Sequence, residues 1–577
     1  MYAISFLLRF LRRLPRRVLL VIPYLPRLVP ITLSCMLYGA YFCYCSVQAF
    51  VRWCFSKSWA TIGFERVRDA ESFEEWVDAA RFLDQALGKN VWRDIPPSKY
   101  YDYHVIETRV RKIRRARLEG DFKTIGHMVR SGLVRNLVNI TSPQLYNHAY
   151  SGTKVLIEDY ISELGQTLDY VASAQMVDRD DREFDAQDRI QLFHDCRHAF
   201  GRTTLVLQGG AVFGTCHLGV IKALHLRGFL PRYITGTATG ALIAALVGVT
   251  TDDELLPILN GETIDDAIFE RAFKGDCKRG YSVLGFLARD NGYSWADTWI
   301  RRIEQYIRCH YFPDLRLLEE WVRTVVGDMT FEEAFAKTKR YISITIPSSG
   351  TGGIPNLLNY ITAPNVLIWS AAAASNVSSA TPQRIRLDCK DETGVIVPWP
   401  NEEGLMFRSW RQLGYNEREC PLARLAELFN INHFIVSQAR PYLVPIFRSQ
   451  VNRPGKVPRF WHFPRCVHLS TLEIRHYFNQ LDYLGFLPTP LRRLFIYEDL
   501  PGHHMVMLPE IGWWDMLKFL RTPATKESVQ EWIFKGERGV WPAVCAVRVR
   551  CTVESALDRG HRVVKAPSKP VFEVGDE

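Results

Sequence analysis

The chain has 577 residues, 47% of them apolar and 23% charged, which describes a globular protein large enough for several domains and excludes a disordered or collagen-like one. Its formal net charge is +10, but most of the excess lies in the first 57 residues, where Arg9, Arg12, Arg13, Arg16, Arg17, Arg27, Arg52 and Lys57 meet no acid. A basicity so local does not describe a nucleic-acid-binding face, and no nucleic-acid partner is expected. The 13 cysteines show no CxxC pairs and no metal-ligand spacing, so free thiols in a reducing compartment are expected.

From Leu28 to Val51 no charged side chain occurs. About 20 apolar residues suffice to cross the hydrocarbon core, and this run is too long and too aromatic for a signal peptide. Pro30 interrupts it, and the shorter apolar run Val18–Leu25 with Pro23 precedes it. Residues 1–57 therefore read as a basic and apolar membrane anchor, either a single transmembrane helix or a proline-broken hairpin in one leaflet. The hairpin keeps the thiol-rich bulk of the chain in the cytosol and is favoured.

Residues 58–200 read as a helical domain. Ser72 followed by Glu75 is a capping-box arrangement ahead of a helix to Leu87. His104–Asp121 places Val105, Ile106, Val110 and Ile113 on one side and arginines on the other. His194 and His198 stand at i,i+4 spacing, but without further ligands they mark a polar helix face; no metal and no cofactor is expected.

The pattern changes at Thr203. "TTLVLQGG" reads as a buried strand, "HLGVIKALHLRG" as a helix closed by Gly228, "PRYITG" as a second strand and "ALIAALVGV" as a second helix. This alternation signals an α/β fold with a mostly parallel sheet, to which "RYISITI" and "HFIVSQA" add strands. It spans residues 201–440; a largely helical extension covers 441–565, and 566–577 read as a disordered tail.

Two glycine turns carry the chemistry. Gly209-Gly210-Ala211-Val212-Phe213-Gly214 opens a helix after a strand, so its amides suit an anion or a developing oxyanion. The spacing departs from G-x-G-x-x-G, and no acid follows at the ribose-binding distance, which argues against a dinucleotide. About 25 residues later Gly236-Thr237-Ala238-Thr239-Gly240 has the form of a nucleophile elbow, with alanine at its apex.

On these residues Thr203–Val249 resembles the patatin-like phospholipase domain, and specifically the fungal triacylglycerol lipases of lipid droplets. "SFEEWVDAARFLDQALG", "GLVRNLVNITSPQLYNHAYSGTKVLIEDYI", "PLARLAELFNINHFIVSQARP" and "GERGVWPAVCAVRVRCTVESALDRG" look like flanking blocks of that subfamily. The resemblance implies a sandwich of helices around a central sheet, and a Ser-Asp dyad acting on lipid esters. It places the serine at Ala238 and, counted back without gaps from Pro421, the aspartate at Leu413; Glu403 is a rival placement that needs an insertion. Neither residue can do the work: alanine has no oxygen to attack with and leucine accepts no proton. Thr237 and Thr239 flank the apex and are expected to point elsewhere, and Cys216 is expected to be a core thiol. The His-x-x-x-x-Asp spacing of acyl transfer to lysolipids is absent; His310 and Asp314 fall one residue short.

The expected role is accordingly a pseudolipase, a lipid-binding or regulatory partner of an active lipase. It would meet neutral lipid or phospholipid at a membrane, lipid-droplet or endoplasmic-reticulum surface. An active acyl hydrolase with a non-standard nucleophile and a structural lipid-droplet protein are the alternatives.

Overall fold

A computed structural model of the chain describes residues 59–173, 186–209, 213–264, 313–346, 356–376, 387–399, 421–439, 503–511 and 525–565, with a few isolated positions between them. The apolar run Leu28–Val51, apart from isolated positions within it, and the tail 566–577 lie outside these residues, as do Gly210, Ala211 and Leu413. No helix among the described residues is long and apolar enough to cross a membrane.

The first helices are α1 (Trp59–Asp69), α2 (Phe73–Ala86), α3 (Lys89–Asp94), α4 (Tyr103–Glu119), α5 (Phe122–Gly132), α6 (Pro143–Tyr146), α7 (Val155–Ser173) and α8 (Ala186–Phe200). Ser72 caps α2, its hydroxyl accepting from Glu75 N–H at 3.3 Å. The returning carboxylate of Glu75 takes the N–H of Glu71 rather than that of Ser72, so the box closes one residue early. On α4 Ile106, Val110, Ile113 and Ala116 are buried, while Val105, expected beside them, is 38% exposed. A 100° step from Ile106 carries Val105 off the apolar stripe. The α4 arginines meet acids: Arg114 and Arg117 converge on the buried Glu163, Arg111 pairs with Glu107 and Arg115 with Glu119.

The α/β region contains β1 (Arg202–Gln208), α9 (Cys216–Leu226), β2 (Tyr233–Thr237), α10 (Thr239–Val249), α11 (Asp252–Leu259), α12 (Pro313–Val326), α13 (Phe331–Thr338), β3 (Tyr341–Thr345), β4 (Leu357–Asn359), α14 (Ile368–Ser375), the small hairpin β5 (Asp388–Lys390) and β6 (Ile396–Pro398), α15 (Pro421–Phe429) and β7 (Ile431–Gln438). After these come β8 (His503–Met507), α16 (Lys526–Val540) and α17 (Val544–Lys565). The main sheet has the order β4-β3-β2-β1-β7-β8, parallel throughout except for β4. β1 is central, and its residues Thr203–Gln208 are all buried, as a strand covered by helices on both faces must be.

Every residue of α10 is buried, which explains why its sequence is apolar all round instead of amphipathic. On the other flank α9 and α16 approach backbone to backbone. A Cβ on Gly219 would stand 1.8 Å from the Ile533 carbonyl oxygen, and one on Gly536 2.1 Å from that of Cys216. Only glycine allows this contact.

A buried ion pair ties the two helical extensions to the sheet. Arg135, on the connection after α5, donates to the carbonyls of Gly201 and Arg550, to the Thr203 hydroxyl and to the Glu554 carboxylate. Glu554, on α17, accepts in addition from the Thr203 N–H at 2.8 Å. Residues more than 400 apart in sequence thus meet at the foot of β1.

Candidate functional site: the strand-to-helix turn at Ala238

The parallel register aligns Gln208 with Thr237, so the turns after β1 and β2 emerge side by side. Gly209, with φ 63°, starts the first turn, and its N–H donates to the Thr237 carbonyl at 3.3 Å. Gly209 is thereby tied to the last residue of β2. Gly214 closes the first turn and accepts from His217 N–H at 3.0 Å as α9 begins. Gly210 and Ala211, the expected oxyanion donors, lie outside the described residues.

β2 passes into α10 through one residue. Ala238 has φ 55° and ψ −123°, far from any region an alanine prefers. Such a conformation costs about 1–3 kcal/mol and persists only where the surroundings impose it. Here they do. A Cβ on Gly236 would lie 2.5 Å from Ala241 Cα and from the Gly240 carbonyl oxygen, and one on Gly240 would lie 2.2 Å from the Leu207 carbonyl oxygen. The two glycines bring the start of α10 against β1 and β2, and the chain turns between them at Ala238. Ala238 remains partly exposed, at the position where an elbow would present its nucleophile.

The flanking hydroxyls are occupied or buried. Thr237 Oγ1 shares a hydrogen bond with Thr345 Oγ1 at 2.7 Å, and Thr239 is 1% exposed. Cys216 is fully buried against Trp532 and Phe213, and burial pushes its thiol up to about 12, so it holds no thiolate at neutral pH.

Sequence reasoning missed two polar contacts. Ser375, the last residue of α14, accepts from Ala238 N–H at 2.9 Å and donates to the Thr345 carbonyl at 2.7 Å. His217 is wholly buried, with Nδ1 2.7 Å from Ser437 Oγ and Nε2 3.1 Å from the Gly209 carbonyl oxygen. A carbonyl only accepts, so Nε2 carries the proton, and Nδ1 then accepts from the serine. The signals were present in the sequence: a histidine within the apolar run "CHLGVIKAL", a serine ending "IWSAAAAS", and a serine near the end of the buried strand "FIVSQ". Each is a polar residue inside an apolar segment, and such residues are buried only with a partner.

His194 lies beside Asp195 at 3.5 Å on the exposed side of α8. No group of three or more His, Cys, Asp or Glu residues among those described has metal-binding geometry. Cys196, Cys216, Cys389, Cys545 and Cys551 are free thiols. Leu413 and its rival Glu403 lie outside the described residues.

Residues 60–198 match the model of a domain of unknown function (DUF3336), and residues 205–383 match that of the patatin-like phospholipase family. The chain is 33% identical over 497 residues to triacylglycerol lipase ptl1 of Schizosaccharomyces pombe, covering 85% of this chain and 83% of that one. It is 29% identical over 500 residues to triacylglycerol lipase ptl3 of the same yeast, covering 86% and 96%. Triacylglycerol lipase SDP1L of Arabidopsis thaliana is 31% identical over 499 residues, covering 85% of this chain and 57% of the plant protein.

Proposed function

This chain belongs to the patatin-like triacylglycerol lipase family, and on that premise we propose that it is a member without the Ser-Asp dyad. It serves as a lipid-binding or regulatory partner of an active lipase at a membrane or lipid-droplet surface, anchored there by residues 1–57. The observation that carries this reading is Ala238: the costly backbone of the elbow is kept, at φ 55° and ψ −123°, with a methyl group where the attacking oxygen would be. The second support is the apolar Leu413, which the ungapped count back from Pro421 puts at the position of the base. A nucleophile and its base act as a unit, and loss of either costs roughly 10⁶ in kcat in the serine proteases. A residual acceleration of about 10³ is what binding and an oxyanion site supply alone.

The test is hydrolysis of a labelled triacylglycerol by the purified chain, compared with Ala238→Ser and with Ala238→Ser/Leu413→Asp. The native chain is expected at background, with measurable turnover only in the double variant. Turnover by the native chain that Thr239→Val abolishes would overturn the reading. Lipid profiles of a deletion strain complemented with the native chain or the double variant extend the test to the cell.

A second reading, an acyl hydrolase with a displaced nucleophile, draws on Ser437, whose hydroxyl has an imidazole at 2.7 Å. Both residues are buried, 1% and 0% exposed, which weighs against it. Covalent labelling of Ser437 by a fluorophosphonate would favour it.

A further inference from the structure

Trp59 is 70% exposed at the first turn of α1, and Ile62 is 43% exposed one turn on. Large apolar side chains this open are ordinary when single, but these two share a helix face with Arg66, at i, i+3 and i+7. The face is built up by its neighbours. Phe82 of α2 stands edge-on to Trp59 with ring centroids 6.4 Å apart, and the Arg66 guanidinium lies 4.8 Å over the same Phe82 ring. An exposed tryptophan, an aliphatic residue and an arginine on an aromatic ring are the side chains that settle at the boundary between lipid headgroups and hydrocarbon.

The chain leading into α1 supplies the occupant. The uncharged run ends at Val51, and only Arg52–Ser58 separate it from Trp59, with Arg52 and Lys57 the only charges among them. Even fully extended, that linker holds Trp59 within about 28 Å of Val51. We propose that the Trp59–Ile62–Arg66 face of α1 lies on the phospholipid interface and sets the orientation in which the α/β sandwich meets lipid. The proposal rests on reading Leu28–Val51 as a membrane anchor.

α1 is fixed firmly enough to orient the rest. Gly63 lets it close on α2, where a Cβ would stand 2.9 Å from Leu83 Cδ1. At its C-terminal end the carbonyls of Val67 and Ala70 accept from the Arg538 guanidinium of α16. α16 in turn packs backbone to backbone on α9, the helix that follows the first glycine turn. Packed elements therefore run from α1 through α16 to α9. α4 is the rival surface, with Leu118 77% exposed, but its arginine charge is largely met by Glu107, Glu119 and Glu163.

The test uses the full chain with an environment-sensitive fluorescent amino acid at position 59, 62 or 118, mixed with phosphatidylcholine vesicles carrying a nitroxide near the headgroup. The expected result is flotation with the vesicles, a blue shift and quenching at 59 and 62, and an unchanged signal at 118. Flotation without quenching at 59, or quenching at 118 in its place, overturns the proposal and leaves the anchor intact. Failure to float overturns both. Trp59→Glu/Ile62→Glu should float but free positions 82 and 66 for limited proteolysis on the vesicle, with its unfolding midpoint in solution unchanged; equal protection of the variant overturns the proposal as well.

Discussion

The amide of Ala238 donates to Ser375 Oγ at 2.9 Å, and that hydroxyl in turn donates a hydrogen bond to the carbonyl of Thr345 at 2.7 Å. One buried serine from α14 thereby joins the elbow apex to the end of β3. Replacing it with alanine removes an acceptor from one backbone group and a donor from another. Ser375→Ala is expected to lower stability by about 1–3 kcal/mol, read as a shift of the urea midpoint at constant slope. An unshifted midpoint would show that water replaces the hydroxyl.

Ala238 bears the strain, so removing its Cβ should relieve it. Ala238→Gly is expected to be neutral or to stabilise by up to about 1 kcal/mol, against the usual cost of glycine. The flanking glycines should behave in the opposite way. Gly236→Ala and Gly240→Ala put a methyl group into backbone atoms at 2.5 and 2.2 Å, and each should prevent folding or lower the thermal midpoint sharply.

The Arg135–Glu554 pair joins the helical region to α17 across the foot of β1. Its side chains are 6% and 19% exposed, so either charge would be stranded without the other. Arg135→Met is expected to cost about 3–5 kcal/mol. The double variant Arg135→Met/Glu554→Leu should recover part of that loss, and a double-mutant cycle on thermal midpoints checks it.

His225, half-buried on α9, is held below its usual 6.5 by burial, with Arg340 lowering it further and Asp252 opposing. Its unfolded form binds a proton more readily than its folded form. The contribution to stability is therefore complete above about pH 6.5 and is lost as pH falls through the folded value. Thermal midpoints across about pH 5–8 should decline on the acid side, and His225→Gln should flatten that decline.

Cys216 and Cys551 are both buried, and each thiol is pushed up to about 12. Neither should react with maleimide in the native protein, while both should do so in urea, as mass spectrometry of alkylated peptides would show.

The alternation of strand, glycine turn and helix from Thr203 to Val249 was legible because each element there is local: a buried strand needs continuous β-branched and aliphatic residues, and a tight turn needs glycine. The alanine at the elbow apex was legible for the same reason, since one position decides whether an oxygen is present. Val105 was misjudged because a helical stripe is narrower than its pattern of apolar letters suggests, and only packing against α7 sets its edge. Ser375, His217 and Arg135 could be suspected as polar intrusions but not assigned, because their partners lie 137, 220 and 419 residues away. The sequence by itself determined which atoms are absent from the turn. Tertiary structure alone decided that the turn is strained, because α10 approaches β1 and β2 too closely for a Cβ at Gly236 or Gly240 and Ala238 takes a positive φ between them.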